Sequence, residues 1–395
     1  MAKTPSLAWT VAGGVAALAI SQGIGRFAYT PLLPAMQAAG GFGPDIAGYL
    51  AAANYAGYLI GAFLVALLPP RLAPLVLRLC LIASVATTAG MAATTSIWGW
   101  AVLRAVAGLV SAGVLVLACD IVFSRVSRER RDGLKGWPFA GVGAGIALSG
   151  ATVAATMAPW GWAGGWAAVG GLAAVLTPIS WYGLHVTPAR PAPLVVTSEK
   201  PSRIGAVRFS VALLLVAYFC EGLGYIVSGT FLVAIVAAMP ALSAFAPYTW
   251  IVVGLSAAVA PPLWGAVAAR AGLVGTLIAA HFVQAVGVAA PALSQSLGAV
   301  LISAVTFGAT LSSVSALTLA LGGVLAPERS ARLIGLLTAV FGVGQILGPV
   351  VAGELAARSG NFDTALLLAA GVVAFGAFLL IIGAIKAARR EPAVA

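Results

Sequence analysis

Long runs of apolar residues constrain this 395-residue chain more than any other feature. Hydrophobic residues make up 61% of it and charged residues only 8%, whereas about a quarter of the residues of a soluble domain are charged. A membrane-spanning helix needs about 20 consecutive apolar residues. The chain is therefore predicted to be an all-α membrane protein without a separate soluble domain.

Polar residues divide the sequence into two sets of six predicted transmembrane helices. The first set covers 7–34, 45–68, 72–94, 97–123, 132–157 and 163–184, and the second covers 208–238, 246–269, 272–292, 296–322, 330–357 and 362–387. The longest polar stretch, which contains four prolines, lies between the sets and is typical of a linker. We predict an N-terminal six-helix bundle (1–185), a cytoplasmic linker (186–207) and a C-terminal six-helix bundle (208–395).

The positive charges are distributed unevenly between the two sides of the predicted membrane. Of the 21 lysines and arginines, all but Arg26, Arg104 and Arg358 lie in or beside alternate gaps between the spans. By the positive-inside rule the crowded side is cytoplasmic, and it includes both termini. The net charge of +11 therefore indicates contact with the lipid bilayer rather than with nucleic acid.

The second half of the chain repeats the first at a constant shift of 199 residues. Gln22-Gly23-Ile24-Gly25 aligns with Glu221-Gly222-Leu223-Gly224, Tyr49 with Tyr248, Arg71 with Arg270, and Glu129-Arg130 with Glu328-Arg329. Charged and tyrosine landmarks that match without a gap indicate an internal duplication. Because each copy has six spans, both copies have the same orientation and form a parallel repeat.

Three motifs resemble those of the major facilitator superfamily (MFS). Gly23-Ile24-Gly25-Arg26-Phe27-Ala28-Tyr29-Thr30-Pro31-Leu32-Leu33-Pro34 resembles the signature of the bacterial YbfB/YjiJ-like branch. Arg104-Ala105-Val106-Ala107-Gly108 resembles the RxxQG element, with Ala107 in place of Gln, and Gly344-Gln345-Ile346-Leu347-Gly348-Pro349 resembles the GxxxGP antiporter element. The resemblance implies the twelve-helix MFS fold in a bacterial plasma (inner) membrane. It also implies transport by alternating access.

The MFS fold places spans 1, 4, 7 and 10 around a central cavity, so buried polar residues on these spans are candidate site residues. A charge at the bilayer centre costs about 3 kcal/mol on insertion scales and normally faces protein or water. Arg26 and Arg104 can lie at one level, where two cations would attract an anion. The alternative is that each arginine binds backbone carbonyls or Glu221 and fixes the packing.

Glu221 is the only acid deep within a predicted span. It lies on a polar stripe of the seventh span that matches a stripe containing Arg26 on the first span. A buried carboxyl can change between protonated and ionised forms with its surroundings, so Glu221 is predicted to carry a coupled proton, unless it forms a static ion pair with an arginine. Further candidate substrate contacts are Tyr29, Asn54, Tyr55, Tyr225 and Trp250.

Candidate gating residues lie near the membrane faces and in the glycine motif of the eleventh span. The MFS loop element GxLaDRxG is kept in outline at Arg71 and Arg270, although Pro70 stands where the Asp of the first copy belongs. Asp120 and Arg125 resemble acid-plus-arginine pairs that hold cytoplasmic gates. The remaining candidates are the small and rigid residues Gly344, Gly348 and Pro349.

Sequence motifs for catalysis are absent: the chain has no HExxH, P-loop, GxSxG or clustered metal ligands. We therefore expect no enzyme activity, cofactor or metal, and transport driven by an ion gradient or by the gradient of the substrate. The sequence predicts a monomeric, proton-coupled secondary transporter of a small organic anion such as a carboxylate. The alternative is a proton-driven exporter of drugs or amphiphiles, and from another class a passive channel or membrane sensor.

Overall fold

The computed structural model describes residues 5–185 and 209–388, and within these ranges the chain is all-α. The helices are α1 (Leu7–Leu18), α2 (Tyr29–Gly40), α3 (Pro44–Ala66), α4 (Ala73–Gly90), α5 (Ile97–Arg128), α6 (Trp137–Gly183), α7 (Val211–Ala237), α8 (Ala246–Ala271), α9 (Leu273–Leu293), α10 (Leu297–Leu311), α11 (Ser313–Leu325), α12 (Ser330–Ser359) and α13 (Asp363–Ala388). Eleven helical stretches of the described chain are long and apolar enough to cross a membrane. The protein is therefore a multi-pass membrane protein, while the predicted linker lies outside the described residues.

Helix α6 accounts for the difference between eleven observed stretches and twelve predicted spans. It has 47 residues, or about 70 Å at the α-helical rise, and the hydrocarbon core of a bilayer is only about 30 Å thick. Gly161 interrupts it with φ 62° and ψ −167°, a backbone conformation that glycine adopts without a steric penalty. The predicted spans 132–157 and 163–184 are thus joined within one element.

The first predicted span, 7–34, is interrupted rather than continuous. Helix α1 passes into a π-helical stretch, Ala19–Ile24, and residues 25–28 form a turn before α2 begins. Pro31 and Pro34 have no N–H, so the carbonyls of Phe27 and Thr30 cannot receive the usual α-helical hydrogen bond. The predicted tenth span, 296–322, is likewise divided into α10 and α11 at Ser312.

Glycines at equivalent positions of the two halves make equivalent contacts. Gly23 packs against Gly145 of α6, and Gly222 of α7 packs against Gly344 of α12. A side chain at any of these glycines would collide with the backbone of the facing segment. These contacts therefore fix how closely the first and seventh predicted spans approach their neighbours.

The two halves of the chain meet through α2 with α7, α3 with α12, and α6 with α8. Gly48 of α3 faces the carbonyl of Pro349, and Gly143 of α6 faces Gly254 of α8. The hydroxyl of Thr30 also donates a hydrogen bond to the carbonyl of Gly229. The larger buried apolar cluster accordingly contains residues from both halves.

Candidate functional site

Arg26 lies on the turn between α1 and α2 and is only 6% exposed. Its Nη1 donates a hydrogen bond to Oε1 of Gln22 (3.1 Å), and Nε2 of Gln22 donates to the carbonyl of Ser111 (2.9 Å). Its Cζ is 4.1 Å from the ring centre of Tyr58 and 5.2 Å from that of Tyr55. The guanidinium is thus oriented by one amide and two aromatic rings.

The Nε and Nη2 atoms of Arg26 are buried and have no hydrogen-bond partner in the structure. Together they form the guanidinium edge that can donate two parallel hydrogen bonds to a carboxylate. Arg26 takes part in none of the ion pairs found among the described residues. The charge of Arg26 therefore has no counter-ion among the described residues.

Arg104 of α5 is 1% exposed, and its bonds are to the backbone. Its Nη1 donates to the carbonyls of Gly25 (3.3 Å) and Arg26 (3.0 Å), and its Cζ is 4.6 Å from the ring centre of Tyr29. These carbonyls belong to the turn that interrupts the first span, where regular helical bonding ends. The structure thus corresponds to the backbone-binding alternative for Arg104.

Two other candidate contact residues, Tyr29 and Asn54, bind backbone carbonyls near Arg104. The hydroxyl of Tyr29 donates to the carbonyl of Ala47 (3.0 Å), and Nδ2 of Asn54 donates to the carbonyl of Arg104 (2.8 Å). Both side chains therefore bind the protein's own backbone. Tyr55, in contrast, lies directly beside the guanidinium of Arg26.

Tyr225 and Trp250 belong to a group of rings in the second half of the chain. The Tyr225 ring stacks between Phe341 and Phe307, and its hydroxyl accepts a hydrogen bond from Nε2 of Gln345. Trp250 lies between Phe307 and Phe27. Sequence reasoning missed the role of Gln345 because it considered the GxxxGP motif only as a gating element.

Glu221 is buried between α7 and α9, and its partners are not arginines. Nε2 of Gln284 donates to Oε1 of Glu221 (2.6 Å), and Nε2 of His281 is 3.8 Å from Oε2. Nδ1 of His281 is 2.8 Å from the carbonyl of Leu277, so Nδ1 must carry a proton as the donor. The structure thus separates Glu221 from the two arginines with which the sequence analysis grouped it.

The candidate gating residues occupy three different environments. Arg71, in a turn before α4, and Arg270, in the last turn of α8, are exposed, and Arg125 forms an ion pair with Glu129 (2.7 Å). Asp120 is half-buried on α5. The GxxxGP residues lie on α12, where Gly344 and Gly348 contact α7 and Pro349 contacts α3.

Sequence reasoning also missed a bond between the halves. The hydroxyl of Tyr49 donates to Oε1 of Glu354 (2.9 Å), while Oε2 of Glu354 is 3.6 Å from Arg358. The Glu354–Arg358 pair has the i,i+4 spacing of neighbouring side chains on one helix. The Tyr49 contact depends instead on the pairing of α3 with α12.

Comparisons with known proteins agree with this architecture. A family model described as "Uncharacterised MFS-type transporter YbfB" matches residues 18–381, and no curated protein matches the sequence. A crystal structure of a mutant of the nucleoside transporter NupG has a TM-score of 0.72 at 14% identity, covering 94% of this chain and 99% of that one. The human organic anion transporter MFSD10 (TETRAN) has a TM-score of 0.62 at 17% identity, covering 95% of this chain and 100% of that one.

The family match extends over most of the sequence and includes Arg26, Arg104 and Glu221. The structural matches extend over nearly the whole chain and show the same fold at low sequence identity. The family match points to a transporter rather than an enzyme. The chain belongs to the YbfB family of MFS-type transporters.

Proposed function

We propose that this protein is a proton-coupled secondary active transporter of small organic anions such as carboxylates, working by alternating access. The free Nε–Nη2 edge of the buried Arg26 carries this proposal. A buried charge without a counter-ion is costly, and an anionic substrate on this edge would offset that cost. A cationic substrate would be repelled there.

Arg104 acts as a positioning residue in this proposal. Its hydrogen bonds to the carbonyls of Gly25 and Arg26 fix the turn that carries the substrate-binding guanidinium. Gln22 fixes Nη1 of the same group. A guanidinium edge held in one orientation favours bidentate binding of a carboxylate, which an ammonium group cannot reproduce.

Proton coupling is assigned to Glu221 together with His281. Because Nδ1 of His281 donates to Leu277, its Nε2 presents either a lone pair or a proton to Oε2 of Glu221. One proton shared by the two side chains keeps this buried pair neutral overall, whereas gain or loss of a proton leaves a net charge. A pair of this kind can exchange a proton when alternating access changes its surroundings.

The proposed architecture has twelve crossings in two six-helix halves related by a parallel repeat, with both termini in the cytoplasm of a bacterium. Three observations support it. Gly161 divides α6 into two helical segments. Gly23 and Gly145 make the same contact as Gly222 and Gly344. Thr30 donates a hydrogen bond to Gly229, which is the residue that aligns with Thr30 at the 199-residue shift of the repeat.

The proposed outer gate is the contact between the first turns of α3 and the last turns of α12. Gly48 meets Pro349 there, and Tyr49 binds Glu354. On the cytoplasmic side, the proposal keeps Arg71, Asp120, Arg125 and Arg270 as gating residues. Gly344 and Gly348 would allow α12 to slide against α7 as one gate opens and the other closes.

A thermal-shift screen of the purified protein tests the substrate class. Small carboxylates should raise the melting temperature, and Arg26→Gln and Arg26→Lys should reduce this shift. Replacement of the exposed Arg332 by Gln is the control and should leave the shift intact. Stabilisation by cationic drugs but not by carboxylates would contradict the proposal and favour the exporter alternative.

A further inference from the structure

Six aromatic rings form a continuous series, here called the aromatic wall. Its members in order are Phe27, Trp250, Phe307, Tyr225, Phe341 and Tyr218. Neighbouring ring centres are 6.4, 6.4, 6.2, 5.5 and 4.4 Å apart, and the last four pairs are stacked. The wall combines residues from five different parts of the fold, which makes it more than the packing of one helix pair.

The aromatic wall begins beside the free guanidinium. The ring centre of Phe27 is 5.4 Å from Cζ of Arg26. The Phe27 ring is in turn 6.4 Å from the ring of Trp250, which belongs to the other half of the chain. The wall and the anion-binding edge therefore border the same region between the two halves.

Two features favour a ligand beside the wall, five of whose six rings are themselves buried. Phe341 within the wall and Tyr58 against Arg26 are only half-buried. Nε1 of Trp250 and Oε1 of Gln345 are buried without a hydrogen-bond partner. A polar substituent on a ligand ring could use either atom.

We infer that the transported anion is an aromatic monocarboxylate whose carboxylate binds the Nε–Nη2 edge of Arg26 and whose ring lies against the aromatic wall. This inference rests on the proposed function and narrows its substrate class. Arg26 leaves both Nε and Nη2 buried and unpartnered, whereas Arg104 leaves only Nε unpartnered and donates from Nη1 to two carbonyls. One complete two-donor edge therefore matches a single carboxylate. Flat π surfaces discriminate an aromatic from a saturated ring, because stacking adds to the burial of apolar area.

Calorimetric titration of the purified full-length protein with three probes tests this inference. Benzoate has both the charge and the aromatic ring, cyclohexanecarboxylate has the charge and a saturated ring, and benzamide has the ring without the charge. Benzoate should bind about three- to tenfold more tightly than cyclohexanecarboxylate, and benzamide should bind much more weakly than either.

Variants of two half-buried phenylalanines then localise the effect. Phe341→Leu should bring the ratio of the benzoate affinity to the cyclohexanecarboxylate affinity close to one. Phe282 forms a separate ring pair with Phe378, so Phe282→Leu should preserve the parental ratio. Equal affinity of the parental protein for the two acids, or a preference that survives Phe341→Leu, would overturn the inference but not the proposed function. No binding of either acid would likewise overturn the inference. Binding of both acids that is unaffected by Arg26→Gln would contradict the proposed function itself.

Discussion

Arg26 and Arg104 are both buried arginines, but their guanidinium groups have different partners. Arg104 donates from Nη1 to two carbonyls of the turn at residues 25–28 and leaves only Nε without a partner, whereas Arg26 leaves both Nε and Nη2 without partners. Donors that bind the backbone stabilise the fold, and free buried donors cost stability until a ligand binds them. The two residues should therefore respond differently to the same substitution.

Replacement of Arg104 by Gln should lower stability more than replacement of Arg26 by Gln. The first change leaves two buried carbonyls without a donor and should cost about 1–3 kcal/mol. The second removes a buried charge and two unpartnered donors, so stability should remain near the parental value or increase. Thermal unfolding in detergent, without added anions, measures both. Equal destabilisation by the two changes would contradict this division of roles.

Substitution of Glu221 by Gln should separate exchange from proton-driven accumulation. The amide cannot release a proton but keeps a similar shape beside Gln284 and His281. Substrate exchange in proteoliposomes should be retained, and accumulation driven by a pH gradient should be lost. The matched control, Glu328→Gln, alters an exposed acid outside this cluster and should retain accumulation. Undiminished pH-driven accumulation by the Glu221 variant would show that this residue is structural.

Single residues were the part of the proposed site that sequence could indicate, because charges are rare in apolar spans. Arg26, Arg104 and Glu221 stood out for that reason. Their partners could not be predicted, since Gln284 and His281 lie on a helix 63 and 60 positions away in sequence from Glu221. The hydrogen bonds of Arg104 to backbone carbonyls could not be predicted either, because they depend on the turn at residues 25–28, which hydropathy does not reveal.

At the scale of elements, hydropathy predicted most helix boundaries to within a few residues. The interruption of the first span was not predicted, although Pro31 and Pro34 were visible in the motif. GxxxG spacing in a sequence marks candidate sites of close helix approach, but it does not identify the partner helices. Gly57 and Gly61, for example, contact α5 through Ala105 and Leu109.

Two glycines on α12 provide a matched test of element packing. Gly344 contacts the backbone of α7, and Gly335 has nothing within 4 Å of the position of an added Cβ. Gly344→Ala should destabilise the protein by about 1–3 kcal/mol through overpacking, while Gly335→Ala should be neutral or stabilising because Ala favours helix. Thermal unfolding of the two variants compares them directly. Similar melting temperatures would contradict the packing described for α7 and α12.

At the scale of the whole molecule, the bond between Tyr49 and Glu354 joins the two halves at the proposed outer gate. A cysteine at each of these positions, linked by a short bifunctional reagent in an otherwise cysteine-free protein, should stop transport by holding the gate closed. A cleavable reagent should allow recovery after cleavage. The single-cysteine variants are the controls and should remain active. Full transport by the cross-linked protein would show that this contact does not open during the cycle.

The proposed orientation can be tested by labelling single cysteines in intact cells. Ser359, exposed at the end of α12, should react with a membrane-impermeant reagent, whereas Gly133, exposed in the loop between α5 and α6, should react only after cell lysis. The charge distribution is the reason, because the loop that contains Gly133 is rich in arginine and the loop that follows Ser359 is not. The reverse labelling pattern would place the termini outside.

Counterflow in proteoliposomes tests the central claim of anion transport through Arg26 most directly. Vesicles loaded with the unlabelled carboxylate that gives the largest thermal shift should transiently accumulate the labelled acid above its external concentration, with a saturable rate. Arg26→Gln should abolish this accumulation, and Arg332→Gln should not. Non-saturable flux without counterflow would indicate a channel, absence of flux would indicate a sensor, and parental counterflow by the Arg26 variant would contradict the assigned site.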